Sequence, residues 1–301
     1  MSLTQDDLDA VCGLVNDLCG VFLDETKGYL IESRLADLVA REGCESYVAL
    51  AEMARTEAAT GLRTEIVDAI TTNETLFFRD NSPFDALRHK VIPHLLDASA
   101  KSSFPNRIRI WSAACSAGQE TYSIAMTIRE LIPNLDDYNI TILGTDVSDA
   151  AIAKASRGRY AKHEVERGLS PKQLADYFVA VDDGWQVRDE LRAMVSFQRL
   201  DLREPFDHLG HFDVVFCRNV AIYFTAEARR DVFDRITRVL QPEGALFVGS
   251  SETLHDLGPA FEPLHHCRAV FYRPTTATPR HSEGPSCECS ELAVAIERSV
   301  R

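Results

Sequence analysis

A chain of 301 residues is long enough for one large domain or two ordinary ones. Its 45% hydrophobic and 26% charged residues are those of a globular protein, and no apolar run reaches the length of a membrane span. The net charge of −14 is concentrated in residues 1–70, which hold 14 acidic and 5 basic side chains, and this argues against non-specific binding to nucleic acid or anionic lipid.

The chain opens Met1-Ser2-Leu3-Thr4-Gln5-Asp6-Asp7, without the basic start and apolar core of a signal peptide, so a cytoplasmic protein without membrane insertion is expected. Most of the eight cysteines sit in apolar segments, as reduced thiols do. Cys287-Glu288-Cys289 has no second pair at metal-ligand spacing, and no metal site is expected.

Residues 1–70 read as a helical domain. Thr4 can cap a first helix with Asp7 at its third position. Leu8, Val11, Val15, Leu18 and Phe22 then follow helical spacing, and Leu30, Ile31, Leu35, Leu38 and Val39 make a second stripe. Shorter helices are predicted over 47–54 and 64–70. From residue 107 strands alternate with helices: strands at 107–114, 140–146, 195–197, 212–217, 245–249 and 269–272, helices at 121–132, 149–156 and 226–240. The fold class is α/β, a doubly wound sheet over 71–274. Residues 157–198 interrupt it as an inserted subdomain, with a helix from Pro171 and a turn at Asp182-Asp183-Gly184 beside a half-hairpin at 185–187. The tail, 275–301, reads as disordered up to a weak helix near 291–300.

In such a sheet ligands bind beyond the carboxyl ends of the strands. The loop Ser116-Ala117-Gly118-Gln119-Glu120 follows the first strand, Asp146 ends the second, and Arg218-Asn219 follows the strand 212–217. The loop has one glycine where a dinucleotide fingerprint has three, and Glu120 at the helix start would repel a pyrophosphate. A nucleoside with a positive centre and no phosphate fits better, and S-adenosylmethionine is such a ligand. A tight structural turn remains the alternative for this loop.

Five segments, in order, carry a resemblance. They are Thr71-Thr72-Asn73-Glu74-Thr75-Leu76-Phe77-Phe78-Arg79, Trp111-Ser112-Ala113-Ala114-Cys115-Ser116-Ala117-Gly118-Gln119-Glu120, Gly144-Thr145-Asp146-Val147-Ser148, Phe216-Cys217-Arg218-Asn219-Val220-Ala221-Ile222-Tyr223-Phe224 and Leu240-Gln241-Pro242-Glu243-Gly244. Over residues 5–274 the chain resembles chemotaxis-receptor methyltransferases of the CheR family. The resemblance implies a Rossmann-like class I methyltransferase sheet behind an N-terminal all-α domain. It implies transfer of a methyl group from S-adenosylmethionine to receptor glutamates, with S-adenosylhomocysteine as the product. It assigns the cofactor to Asn73, Thr75, Arg79, Glu120, Asp146, Asp201, Leu202, Arg218 and Asn219, and places Arg79 and Tyr223 at the reacting groups.

Asp201 stands where the family more often has asparagine, and Gln119 and Thr121 stand where glutamate and proline are common. The expected partner is the cytoplasmic helical domain of a chemoreceptor, met by a monomer. Lys27, Arg34, Arg41, Arg55 and Arg63 are candidates for one docking face. Residues 179–186 look too short for the loop that grips a receptor's C-terminal pentapeptide, so no strong tether is expected. Two other readings stay open: a non-catalytic module that binds the cofactor in signalling, and a methyltransferase for another acceptor. His265-His266-Cys267 lacks partner ligands and is read as structural.

Overall fold

The computed structural model describes residues 3–71, 74–99, 106–132 and 134–275. The helical domain consists of α1 (Gln5–Cys19), α2 (Gly28–Arg41), α3 (Tyr47–Arg55) and α4 (Thr60–Ile70). The capping box forms: the Asp7 amide donates to the Thr4 hydroxyl at 3.2 Å and the Thr4 amide donates to the Asp7 carboxylate at 3.1 Å. The other Asp7 oxygen accepts from the Val48 amide at 3.0 Å, so one carboxylate also ties α1 to α3. Leu8, Val11, Val15, Ile31, Leu35, Leu50 and Ile66 close the core.

Most of the basic side chains proposed for a docking face are engaged inside this domain. Arg34 donates to the carbonyls of Ile70 and Thr71 at 2.8 and 3.1 Å, meeting the orphan end of α4. Arg63 donates to the carbonyls of Ala54 and Thr56, and Arg41 pairs with Glu42 and Glu65.

No element is predicted for residues 80–106, yet α5 (Ser82–Ala86), a wide turn at Leu87–Val91 and α6 (Ile92–Ser99) fold there. Pro83 and Pro93 suggest breaks in sequence. Pro83 sits in the first turn of α5, where no amide is needed, and Pro93 follows the π turn.

The α/β domain contains β1 (Arg107–Ala113), α7 (Gln119–Leu131), β2 (Asn139–Asp146) and α8 (Asp149–Arg157). An insertion follows, with β3 (Arg159–Tyr160), α9 (Lys162–Val165), α10 (Pro171–Tyr177), β4 (Phe178–Val181), β5 (Gly184–Val187) and α11 (Asp189–Arg192). The sheet resumes with β6 (Val195–Arg199), β7 (Phe212–Cys217), α12 (Ala226–Val239), β8 (Leu240–Phe247), β9 (Phe261–His266) and β10 (Ala269–Pro274).

The large sheet runs β6-β2-β1-β7-β8-β10-β9. Its pairs are parallel except those of β10, which is antiparallel to β8 and β9. Both faces are covered, which explains the continuous apolar runs. Ile108, Ile110 and Phe216 pack on one side, and Trp111, Ala113 and Val215 on the other.

Strand β9 was not predicted. His265 and His266 lie in it, paired with Val270 and Ala269. Cys267 and Arg268 make the two-residue turn with φ of 49° and 62°, the left-handed pair that joins twisted antiparallel strands. Among the described residues no metal-ligand cluster occurs. Cys287, Cys289 and the weak helix at 291–300 lie outside the described residues.

The inserted strands form a separate sheet, β3-β5-β4, with Asp182 and Asp183 at the hairpin tip. Phe77 docks edge-on against Tyr160 and Phe178 of this subdomain, with ring centroids 5.0 and 5.6 Å apart. Phe78 turns the other way onto Phe84, and its amide donates to the Ser123 hydroxyl at 2.9 Å. The two phenylalanines therefore hold residues 74–79 between the insertion and the main core.

Candidate active site

Strand order reverses at β1, and the crevice beyond its carboxyl end opens into a cavity of about 420 Å³. Thr75, Arg79, Glu120, Asp146, Asp201, Leu202, Arg218, Asn219 and Tyr223 all line it. Asn73 lies outside the described residues.

The loop after β1 is built from left-handed residues: Ala114, Ser116 and Gly118 have φ of 58°, 51° and 92°. Only Gly118 is free of the Cβ penalty, and a Cβ there would lie 2.8 Å from that of Ala155 on α8. This turn aims the Ser116 amide at Asp146, which accepts from it at 2.8 Å and from the Ser148 amide at 3.0 Å. Burial pushes the Asp146 carboxyl above its ordinary range, while these amides favour the ionised form. Its backbone bonds fix its orientation at the cavity edge, and its remaining lone pairs suit a ribose diol.

Glu120 occupies the first turn of α7, where the helix dipole favours a carboxylate. It accepts from the Ser112 hydroxyl at 2.7 Å and from Arg218 at 2.9 Å. Arg218, with a side chain 1% exposed, is the hub of the site. Its other terminal nitrogen donates to the Arg79 carbonyl at 3.0 Å and to the Asp80 carboxylate at 2.7 Å. It therefore pins the backbone of residues 78–81, in which Phe78, Asp80 and Asn81 all have positive φ.

Asn219 also takes a left-handed conformation, with φ of 57°. Glu252 holds it there: its carboxylate accepts from the amides of Asn219 and Gly249, both at 2.6 Å. Neither Glu252 nor Asp80 is visible as a site residue in the sequence, because each acts on a partner far along the chain.

The departure at position 201 has a local cause. Asp201 accepts from the Arg203 side chain at 2.7–3.1 Å and from the Arg203 amide at 2.9 Å. Arg203 also donates to the carbonyls of Asn16 and Asp17 in the last turn of α1, at 2.8 and 3.2 Å. Burial works against the charge on Arg203, but the Asp201 bonds outweigh it and hold its pKa above the usual arginine value. The carboxylate is thus largely occupied by an interdomain strap, and Leu202 presents the apolar surface beside it.

The helical domain supplies the opposite wall with Phe22, Lys27, Tyr29 and Arg34, a contribution the strand-end rule does not foresee. Arg34 faces this cavity and not an outer docking surface. The Phe22 amide donates to the Tyr223 carbonyl at 2.8 Å, and Asp68 accepts from the Ser148 hydroxyl at 2.6 Å. Cys115 and Cys217 are buried, and burial pushes both thiols well above their ordinary range, so they are neutral packing groups.

A rigid, oxygen-rich cavity with Asp146, Glu120 and an apolar flank fits S-adenosylmethionine: a carboxylate for a diol, acidic groups for a cation, an apolar flank for a base. Comparison with known proteins agrees. Residues 73–270 match the model of the CheR methyltransferase SAM-binding domain, and residues 6–71 match the CheR methyltransferase all-alpha domain. Chemotaxis protein methyltransferase 1 of Pseudomonas aeruginosa is 41% identical over 277 residues, 91% of this chain and 99% of the relative. Chemotaxis protein methyltransferase Cher2 of Pseudomonas putida is 38% identical over the same shares. A chemotaxis protein methyltransferase of Borreliella burgdorferi is 34% identical, covering 84% of this chain and 90% of its own. With its site geometry and both domains accounted for, this chain belongs to the CheR methyltransferase family.

Proposed function

We propose that the chain transfers a methyl group from S-adenosylmethionine to a glutamate side chain of a chemoreceptor, forming a methyl ester. The observation that carries this reading is the state of Arg79. Its guanidinium lines the cavity and donates to the Glu74 carbonyl at 3.1 Å, and among the described residues it has no carboxylate partner. Asp80, its neighbour, is already taken by Arg218. A planar donor left open at the cavity wall suits a carboxylate that arrives with a ligand.

A glutamate is ionised near neutral pH and is already a nucleophile, so no strong base is needed. When bound, S-adenosylmethionine would supply an electrophilic methyl carbon on its sulfonium, and transfer to the glutamate oxygen would leave a neutral thioether. The task of the protein is position. Asp146, Glu120 and Leu202 are the residues proposed to hold the donor, with Thr75, Arg218 and Asn219 completing the pocket and Asp201 at the adenine side. Tyr223 lines the cavity and its hydroxyl has no hydrogen-bond partner among the described residues, which supports giving it the role of orienting the acceptor.

Labelled methyl transfer to receptor-containing membranes tests the reading. Base-labile counts are expected, because the product is an ester. Acid- and base-stable product would move the acceptor to another class, and cofactor binding without turnover would leave a binding module. Arg79→Ala should lower transfer by ~100-fold, the range for losing one positioned donor. Calorimetry run in parallel tells which carboxylate Arg79 holds. Retained cofactor binding assigns it to the acceptor, and lost binding assigns it to the amino acid end of the cofactor.

A further inference from the structure

A second cavity of about 480 Å³ lies on the far side of residues 74–79 from the nucleoside crevice. It shares Glu74, Thr75 and Arg79 with the first, so the same short segment forms the wall between them. Its other walls come from the α7 start, from α8, and from α9 with the turn after it. Lys154 and Glu164 pair across it at 2.6 Å and cancel. What remains is Arg79, Arg167 and His163 against the single carboxylate of Glu74. Arg167 and His163 are exposed, and neither has a hydrogen-bond or ion-pair partner among the described residues. None of the three has a carboxylate partner among the described residues, although the chain as a whole carries a net charge of −14.

The placement is built in. Gly168, next to Arg167, has φ of +107°, and a Cβ there would lie 1.9 Å from the Phe77 carbonyl oxygen. Only glycine allows this approach, so the turn carrying Arg167 is pressed onto the backbone of the segment that carries Arg79. The insertion therefore delivers Arg167 to the edge of the methyl-transfer site.

We propose that this second cavity receives an acidic side chain of the acceptor, next to the glutamate being methylated, and that Arg167 with His163 reads it. The inference rests on the acceptor reading given above and adds a specificity site to it. Arg167 offers a planar fork that a carboxylate can take in two bonds, and the imidazole adds a further donor. The insertion would then choose which glutamate enters the site.

The test uses the full chain and a soluble receptor cytoplasmic fragment whose methylated glutamate has been located by mass spectrometry. Each acidic residue within a helical turn of that glutamate is replaced by glutamine in separate fragments. Arg167→Ala should raise KM for the unaltered fragment roughly tenfold, with kcat within about twofold, as expected for one charge-assisted contact. Cofactor affinity by calorimetry should not move. With one particular glutamine fragment the KM effect should vanish, because the partner is already gone. Arg167→Lys should restore part of it.

Several results overturn the inference. One is a KM unaffected by Arg167→Ala. Another is an effect equal across all fragments. A third is a loss of cofactor affinity that tracks the loss of rate, which would give the cavity to the cofactor. No transfer by the unaltered chain to any fragment overturns the acceptor reading itself, and this inference falls with it.

Discussion

Asp146 shows how a single side chain is prepared by backbone. Two amides orient it, and burial raises its pKa above the ordinary 3.8. The ionised form accepts hydroxyl protons, and the protonated form loses an acceptor. Cofactor affinity should therefore be flat at neutral pH and fall as pH drops through a window that starts above 3.8. Asp146→Ala should lose roughly 10²–10⁴-fold in affinity and show no such window, from two charged hydrogen bonds at ~1.5–3 kcal/mol each, measured by calorimetry across pH. Glu252 works at the same scale. Glu252→Ala leaves the buried Gly249 amide and the half-buried Asn219 amide unpaired and should lower stability by ~1–3 kcal/mol in denaturant melts. Asp146, Arg218 and Asn219 were legible because each ends an apolar strand, where the fold class predicts a ligand. Glu252 was not legible, since its partner Asn219 is 33 residues away and nothing in the intervening residues marks the pairing.

The first helix is legible down to its capping pair, because that contact spans three residues, but its apolar stripe stops short of Phe22, which lies beyond the Gly20 cap, is 59% exposed and lines the cavity. The second role of Asp7, on the Val48 amide, was not readable over 41 residues. Burial raises the Asp7 pKa, but the bonds from Thr4 and Val48 outweigh it and hold it below the usual carboxylate value. A depressed pKa contributes stability that is present at neutral pH and lost as pH falls through the folded value. Asp7→Ala should therefore cost about 1–2 kcal/mol near neutral pH, with the difference from the parent shrinking in acid, followed by circular dichroism melts. The helices at 82–99 were missed for the opposite reason. Their prolines carry a breaking signal, and it is neutralised only by a first-turn position and a π turn.

For the molecule as a whole, the cavity is an interdomain object. Arg203 binds Asp201 on one side and the end of α1 on the other, which fastens the helical domain over the crevice. Removing the arginine strands a buried carboxylate. Arg203→Ala should destabilise the protein by ~2–4 kcal/mol and make the helical domain more sensitive to protease. Asp201→Asn combined with Arg203→Ala should recover part of that loss, because the neutral amide no longer needs the partner. Equal melting temperatures for the single and double variants would refute the strap. No helix among the described residues is long and apolar enough to cross a membrane.

The amino-acid sequence by itself determined the motif order, the all-α and α/β division, the class of cofactor and the strand-end carboxylate. The division into domains follows from local spacing, the strand-end carboxylate from a rule of sheet topology, and the cofactor class from the resemblance that the five ordered motifs carry. Only the tertiary structure decided that Arg34 faces inward, that Asp201 is held by Arg203, and that Gly168 presses Arg167 against the segment bearing Arg79. Each of those depends on residues brought together from distant parts of the chain, and side-chain hydrogen bonds at that range leave no periodicity to read.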